Sequence, residues 1–243
     1  MIEEQEQRYM VFKWLRTNYW TSLLVCLLVS VLGGSAFAFG ISGLRLSDFL
    51  SQYFASDRIL ANGLFTIAFL FFISIPISIG NARFFPQALE GEGKISDVFY
   101  AFKPKYYWNV ILVEAARYAI LAAIIIPIVL LITYSDNDLA TFLLWGTALA
   151  LAMPPYYKYR FSPFILARYP YMRQKEVFSI STELTNRKRW RLFVIDLSFV
   201  ALFLVGNLFF GIGGLLLAPY YEGVVAMYYL DCVRIQEEES EDE

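Results

Sequence analysis

The sequence predicts an all-α fold: a polytopic transmembrane bundle of six helices with both ends in the cytoplasm. Three observations predict it. Of 243 residues, 58% are hydrophobic and 18% aromatic, more than a soluble domain of this length needs to build its core. The apolar residues gather into six runs of membrane-spanning size, the hydrocarbon core asking for about 20 residues per helix. Lysine and arginine sit almost entirely on alternate connections, the bias that sets orientation across a bilayer.

The runs, in order, are about 20–39, 62–79, 109–132, 139–153, 192–206 and 215–233. Residues 1–19 precede the first as an amphipathic interfacial helix, acidic at Glu3, Glu4 and Glu6. An acidic start does not suit a secretory signal, so the first run reads as a retained span despite Ala36-Phe37-Ala38. The fourth run continues past Pro154-Pro155. The fifth and sixth are parted by 207–214, where Gly211, Gly213 and Gly214 permit a reversal; one long span over 192–219 is the rival reading. Residues 1–235 form a single domain, and 236–243 form an acidic, disordered tail.

Loop charge orients the chain. Arg8, Lys13 and Arg16 precede the first run. Arg83, Lys94, Lys103 and Lys105 follow the second, and nine bases from Lys158 to Arg191 follow the fourth. The opposite connections hold only Arg45 and Arg58. Cytoplasmic termini follow. Tyr19-Trp20, Tyr106-Tyr107-Trp108 and Trp190 stand where the odd-numbered runs begin, at the level amphipathic rings prefer.

Those entry points share a pattern. Val11-Phe12, Val98-Phe99 and Val177-Phe178 each precede an entry tryptophan, with bases in between: Lys13 and Arg16, then Lys103 and Lys105, then Arg187, Lys188 and Arg189. The flanking segments have helical spacing, with Ser96 as an N-cap and Asn186 as a C-cap. Each unit reads as an amphipathic surface helix followed by a transmembrane hairpin, three units in all, with the bases facing anionic headgroups on the cytoplasmic side.

The same segments resemble a bacterial family of integral membrane proteins, domain of unknown function 975. The resemblance rests on Gly91-Glu92-Gly93-Lys94-Ile95-Ser96-Asp97-Val98-Phe99, on Ser162-Pro163-Phe164-Ile165-Leu166-Ala167, and on Trp190-Arg191-Leu192-Phe193-Val194-Ile195-Asp196-Leu197-Ser198-Phe199. Gly211-Ile212-Gly213, Pro219-Tyr220 and Tyr228-Tyr229 follow in order. The resemblance runs from about Arg8 to Asp231 and implies a multi-pass protein of the bacterial cytoplasmic membrane. It implies no reaction.

The chemistry of the chain is sparse. There is no histidine, the commonest general base and metal ligand. Cys26 and Cys232 lack metal-ligand spacing, and a structural disulfide is not expected. No cofactor, metal or nucleic-acid partner is implied; membrane lipids and a membrane-protein partner are. Four ionisable residues lie within runs, where each costs roughly 2.5–3.5 kcal/mol on insertion scales. Glu114 and Arg117 share a helix face. Asp196 enters the fifth run at similar depth, so a cluster of Arg117 between Glu114 and Asp196 is one arrangement. Glu222 follows Pro219 in the sixth run with no base beside it.

The first functional expectation is a non-enzymatic membrane protein: a scaffold, assembly factor or regulator. A small-solute or proton-coupled transporter using Glu222, Arg117, Glu114 and Asp196 is the alternative. A lipid-modifying enzyme ranks third.

Overall fold

The computed structural model describes residues 4–33, 69–133, 138–186, 188–207 and 212–241. Every regular element among them is helical: α1 (Glu4–Leu32), a π-turn (Leu70–Ser74) leading into α2 (Ile75–Leu89), a 3-10 helix (Ile95–Phe102), α3 (Pro104–Thr133), α4 (Asp138–Lys158), α5 (Ser162–Arg168), α6 (Gln174–Leu184), α7 (Arg189–Asn207) and α8 (Ile212–Glu241). Three stretches are long and apolar enough to cross a membrane, Gln5–Leu32, Pro104–Ile132 and Asp138–Arg168. The first part of the second run, 62–68, and Ala36-Phe37-Ala38 lie outside the described residues.

Several boundaries differ from the reading of the sequence. The segment read as an interfacial helix and the first span form one unbroken helix, α1. The helix that carries the end of the second run does not stop near 79 but continues to Leu89, and Ala82, Phe84 and Phe85 continue its buried face. Arg83 looks like a loop charge, yet it lies within α2. Its Nη1 donates to the Ala167 carbonyl at 2.8 Å and its guanidinium lies 3.7 Å from the centre of the Tyr100 ring. The long basic connection after α4 folds into α5 and α6. Here the fifth and sixth runs do form two helices, against the rival of one span over 192–219: α7 ends at Asn207 and α8 starts at Ile212, with Gly206 and Gly213 pressed together. The acidic end is helical as far as Glu241: once α8 is nucleated, extending it through good helix formers such as Glu and Gln costs little.

Capping differs too. Lys94, not Ser96, is the N-cap of the 3-10 helix, where Asp97 accepts the Lys94 backbone N–H at 2.8 Å. Thr185, not Asn186, caps α6, its hydroxyl donating to the Ser181 carbonyl at 2.8 Å. Gly91 stops α2 with a φ of 91°, a left-handed conformation that a side chain would resist.

Helix α2 is the centre of the bundle. Ten of its residues from Ile75 to Pro86 are buried, and it packs against α1, α3, α5, α8 and the 3-10 helix. Helices α3 and α4 pair, as do α7 and α8, and α1 lies along α8. The outer faces of α3 and α4 expose Leu112, Ile126, Phe142 and Leu149. Such extended apolar surface suits lipid rather than water.

The three Val-Phe steps make related joints. Val11, Val98 and Val177 are all fully buried. Val98 lies on Gly80 of α2, so closely that a Cβ there would overlap the Val98 backbone. Val11 lies on Gly223 of α8, 2.8 Å from where its Cβ would be. At the third step Phe178 stacks on Tyr159, just past α4, with ring centres 4.5 Å apart, and Ser181 donates to the Lys158 carbonyl at 3.0 Å. Small residues that let backbones approach are the usual device of helix packing in lipid. The entry tryptophans Trp20, Trp108 and Trp190 are 79%, 61% and 73% exposed.

The tyrosines beside two of them donate to backbone carbonyls, one of them a carbonyl freed by proline. Pro76 has no N–H, which leaves the Phe72 carbonyl without its helical donor; Tyr107 donates to that carbonyl at 2.8 Å. Near Pro219, Tyr19 donates to the Leu216 carbonyl at 3.2 Å. Removing the hydroxyl orphans an acceptor that water cannot reach in lipid. Tyr107→Phe is therefore expected to cost about 1–2 kcal/mol, read as a lower melting temperature in detergent, whereas Tyr118→Phe, with its exposed ring, should leave it unchanged.

Candidate functional site

Two polar clusters sit inside the bundle. The first joins α3 to α5. Glu114 is fully buried. Arg117, one turn later on the same face, places Nη2 2.6 Å from Glu114 Oε2. Ser162, the first residue of α5, donates its hydroxyl to Oε1 at 2.8 Å. Oε1 thus accepts a hydrogen bond, while Oε2 meets the guanidinium as an ion pair without hydrogen-bond geometry.

The second cluster joins α2, α4, α7 and α8. Asp196 of α7 is its hub. Arg160, in the turn between α4 and α5, places Nη2 3.6 Å from Asp196 Oδ1. Tyr221 of α8 donates to the same oxygen at 2.9 Å, and Tyr157 of α4 donates to Oδ2 at 3.1 Å. Arg160 also donates to the Tyr156 hydroxyl at 2.7 Å and, through Nη2, to the Tyr221 hydroxyl. Glu222 lies on the rim of this network, with Arg160 as its neighbouring base and the side chain of Asn81 from α2 within reach. The Asn81 Oδ1 is buried with no protein partner.

The structure therefore pairs Glu114 with Arg117, as their spacing allows, but does not bring Asp196 to them. Asp196 is held by Arg160 instead, and Glu222 is not without a base. Arg160 escapes notice in the sequence because it reads as one more basic loop residue. A signal is present: Pro155-Tyr156-Tyr157 and Pro219-Tyr220-Tyr221 repeat a Pro-Tyr-Tyr step, and tyrosines from both steps converge on Asp196 and Arg160. Arg8 is hidden for the same reason. From α1 it donates to the Ser198 hydroxyl at 2.8 Å, with its guanidinium 5.6 Å from the Phe199 ring centre.

The residues expected at lipid headgroups divide. Lys13, Arg16, Lys103 and Lys105 are exposed, and three of them lean on aromatic rings: Arg16 on Phe12, Lys103 on Tyr100 and Lys105 on Tyr171. Lys188 and Arg189 are half-buried. Arg187 lies outside the described residues.

Chemically, both clusters can hold charge and protons within a low-dielectric interior. Among the described residues no group of three or more His, Cys, Asp or Glu side chains is placed to hold a metal ion. Cys26 and Cys232 are buried and free.

Comparison with known proteins gives a family and no activity. The family model described as Protein of unknown function (DUF975) matches residues 1–236, and the chain belongs to that family. No curated protein and no solved structure matches the chain.

Proposed function

We propose that this DUF975 member is a non-enzymatic, six-span protein of the bacterial cytoplasmic membrane. It acts as a scaffold, assembly or regulatory component through its lipid-facing and cytoplasmic surfaces. The observation that supports this reading is the pairing of the interior charges. Glu114 is taken up by Arg117 and Ser162, and Asp196 by Arg160, Tyr157 and Tyr221. Charges so committed hold helices in register, and a transported solute would have to break these bonds to use the groups. The three Val-Phe joints favour reading the bundle as three amphipathic-helix-plus-hairpin units around α2, and the alternation of basic connections supports cytoplasmic termini.

Transport is the second reading, and Glu222 with the unpartnered Asn81 Oδ1 favours it. Flux assays separate the two. Reconstituted into vesicles, the protein is expected to carry no proton or solute current, and Glu222→Gln is expected to behave as the parent does. A current in the parent that disappears in Glu222→Gln would overturn the scaffold reading in favour of a proton-coupled transporter.

A further inference from the structure

A cavity of about 290 Å³ opens where α2, α5 and α8 diverge, two turns beyond the Arg160 network. Arg83, Gln87 and Glu90 reach it from α2, Arg168 from α5 and Tyr229 from α8. It lies beside the Gly91 turn and exposed Glu92 and Lys94, where the apolar helices give way to polar chain. Its chemistry is of two signs. Arg83 is fixed in place by the Ala167 carbonyl, by Tyr100 and by Asp97, whose Oδ1 is 3.6 Å from Nε. Gln87, in the orientation that satisfies its amide, accepts from Arg83 at 3.1 Å and donates to Asp97 at 3.2 Å. Asp97 thus offsets much of the Arg83 charge. Arg168 is exposed, with its guanidinium 5.8 Å from the Tyr169 ring centre, and Tyr229, which lines the same cavity, is stacked on Phe164 with ring centres 5.0 Å apart. Arg168 therefore presents an exposed guanidinium to the cavity. Glu90 supplies an exposed carboxylate to the same cavity.

A plain anion placed here would meet Arg168 and also Glu90. A cation would meet Glu90 and also two guanidiniums. A group carrying a phosphate and a primary ammonium a few bonds apart satisfies both. Guanidiniums bind phosphate oxygens by parallel charge-assisted hydrogen bonds, and a carboxylate binds an ammonium. We propose that this cavity is a binding site for a phosphoethanolamine group, with the phosphate on Arg168 and the outer edge of Arg83 and the ammonium on Glu90. Two sources share that chemistry, the headgroup of phosphatidylethanolamine and a free phosphoethanolamine.

Binding by the full chain in detergent, followed by native mass spectrometry and thermal shift, tests the site with four probes: phosphatidylethanolamine, phosphatidylglycerol, phosphoethanolamine and inorganic phosphate. Phosphatidylethanolamine is expected to bind at least about tenfold more tightly than phosphatidylglycerol, the loss of one charge-assisted contact. Arg168→Gln should weaken phosphatidylethanolamine by a similar factor, Arg168→Lys should recover part of it, and Glu90→Gln should bring the two lipids level. Melting temperatures without ligand report whether each variant folds; both positions are exposed, and no change is expected. Tight binding of phosphoethanolamine alone would support the site and assign a soluble source, while binding of the lipid only assigns the membrane. Equal affinity for the two lipids in the parent, no binding of either ethanolamine compound, or unaltered binding in Arg168→Gln would each overturn the proposal.

Discussion

Replacing Gly80 by alanine is expected to unfold the centre of this protein. The new methyl would overlap the Val98 carbonyl oxygen and come within 2.6 Å of its Cα. Those atoms are backbone, held in a 3-10 helix whose Val98 and Ala101 are fully buried, so no rotamer change relieves the clash. Either the 3-10 helix lifts away from α2 or α2 shifts within a bundle that touches it on several sides. Overpacking of a tight core costs about 1–3 kcal/mol and sometimes more; here the upper end or beyond is expected. Gly223→Ala makes the matching test in α8. The obstacle there is a side-chain methyl, Val11 Cγ1, at 2.8 Å, so a loss nearer 1 kcal/mol should follow, roughly the lower end for an overpacked site. Gly146, on α4, has open space within 4 Å of the point a Cβ would occupy, and Gly146→Ala should gain up to about 1 kcal/mol through helix propensity alone. The measurement is thermal unfolding of the three detergent-purified variants beside the parent. A Gly80→Ala protein that melts with the parent would mean that the 3-10 helix does not press on α2.

That joint also shows how much of the fold is legible in the sequence. The helical class and the apolar runs of α1, α3 and α4 follow from hydropathy, because a long run of one character survives any local error. The Val-Phe steps are legible as a pattern but not as joints. Nothing in Val98-Phe99 points to Gly80, since the pairing depends on how two distant segments meet. Loop charge misleads in both basic connections. Arg83 and Arg160 read as solvated because each sits among other bases, yet each is held inside the bundle by partners distant in sequence, Ala167 and Asp97 for one and Asp196 for the other. A count of bases assigns a side to a segment; it cannot say which base turns inward. Of the candidate site, the Glu114–Arg117 pair is visible because both residues lie on one helix and the period fixes their face. The partners of Asp196 and Glu222 are not, because they come from α2, the α4–α5 turn and α8.

The turn that supplies Arg160 makes the second large prediction. Arg160→Met removes the only base bonded to Asp196 among the described residues and leaves a carboxylate enclosed by α4, α7 and α8, with Tyr157 and Tyr221 as its remaining donors. Breaking a fully buried pair from one side costs about 3–5 kcal/mol, most of it the penalty of the charge left behind; with 18% and 17% of the two side chains exposed, a loss at or below the lower end is expected. The reverse change should be milder. In Asp196→Asn the guanidinium of Arg160 keeps the hydroxyls of Tyr156 and Tyr221 and the neighbouring Glu222, and an amide can still accept from Tyr157. The double variant Arg160→Met with Asp196→Asn should recover part of the loss, since the Asp196 carboxylate is no longer left unpaired, while Glu222 still lacks its neighbouring base. Thermal unfolding of the two single variants and the double variant gives the coupling between the residues directly. The ordering is the critical result: Arg160→Met lowest, with the double variant above it. If Arg160→Met melted with the parent, Asp196 would be reached by water and the network would not lock the four helices together. If instead the double variant were the least stable, the residues would contribute through separate contacts, and their pairing could no longer support a scaffold whose interior charges are spent on holding its own shape.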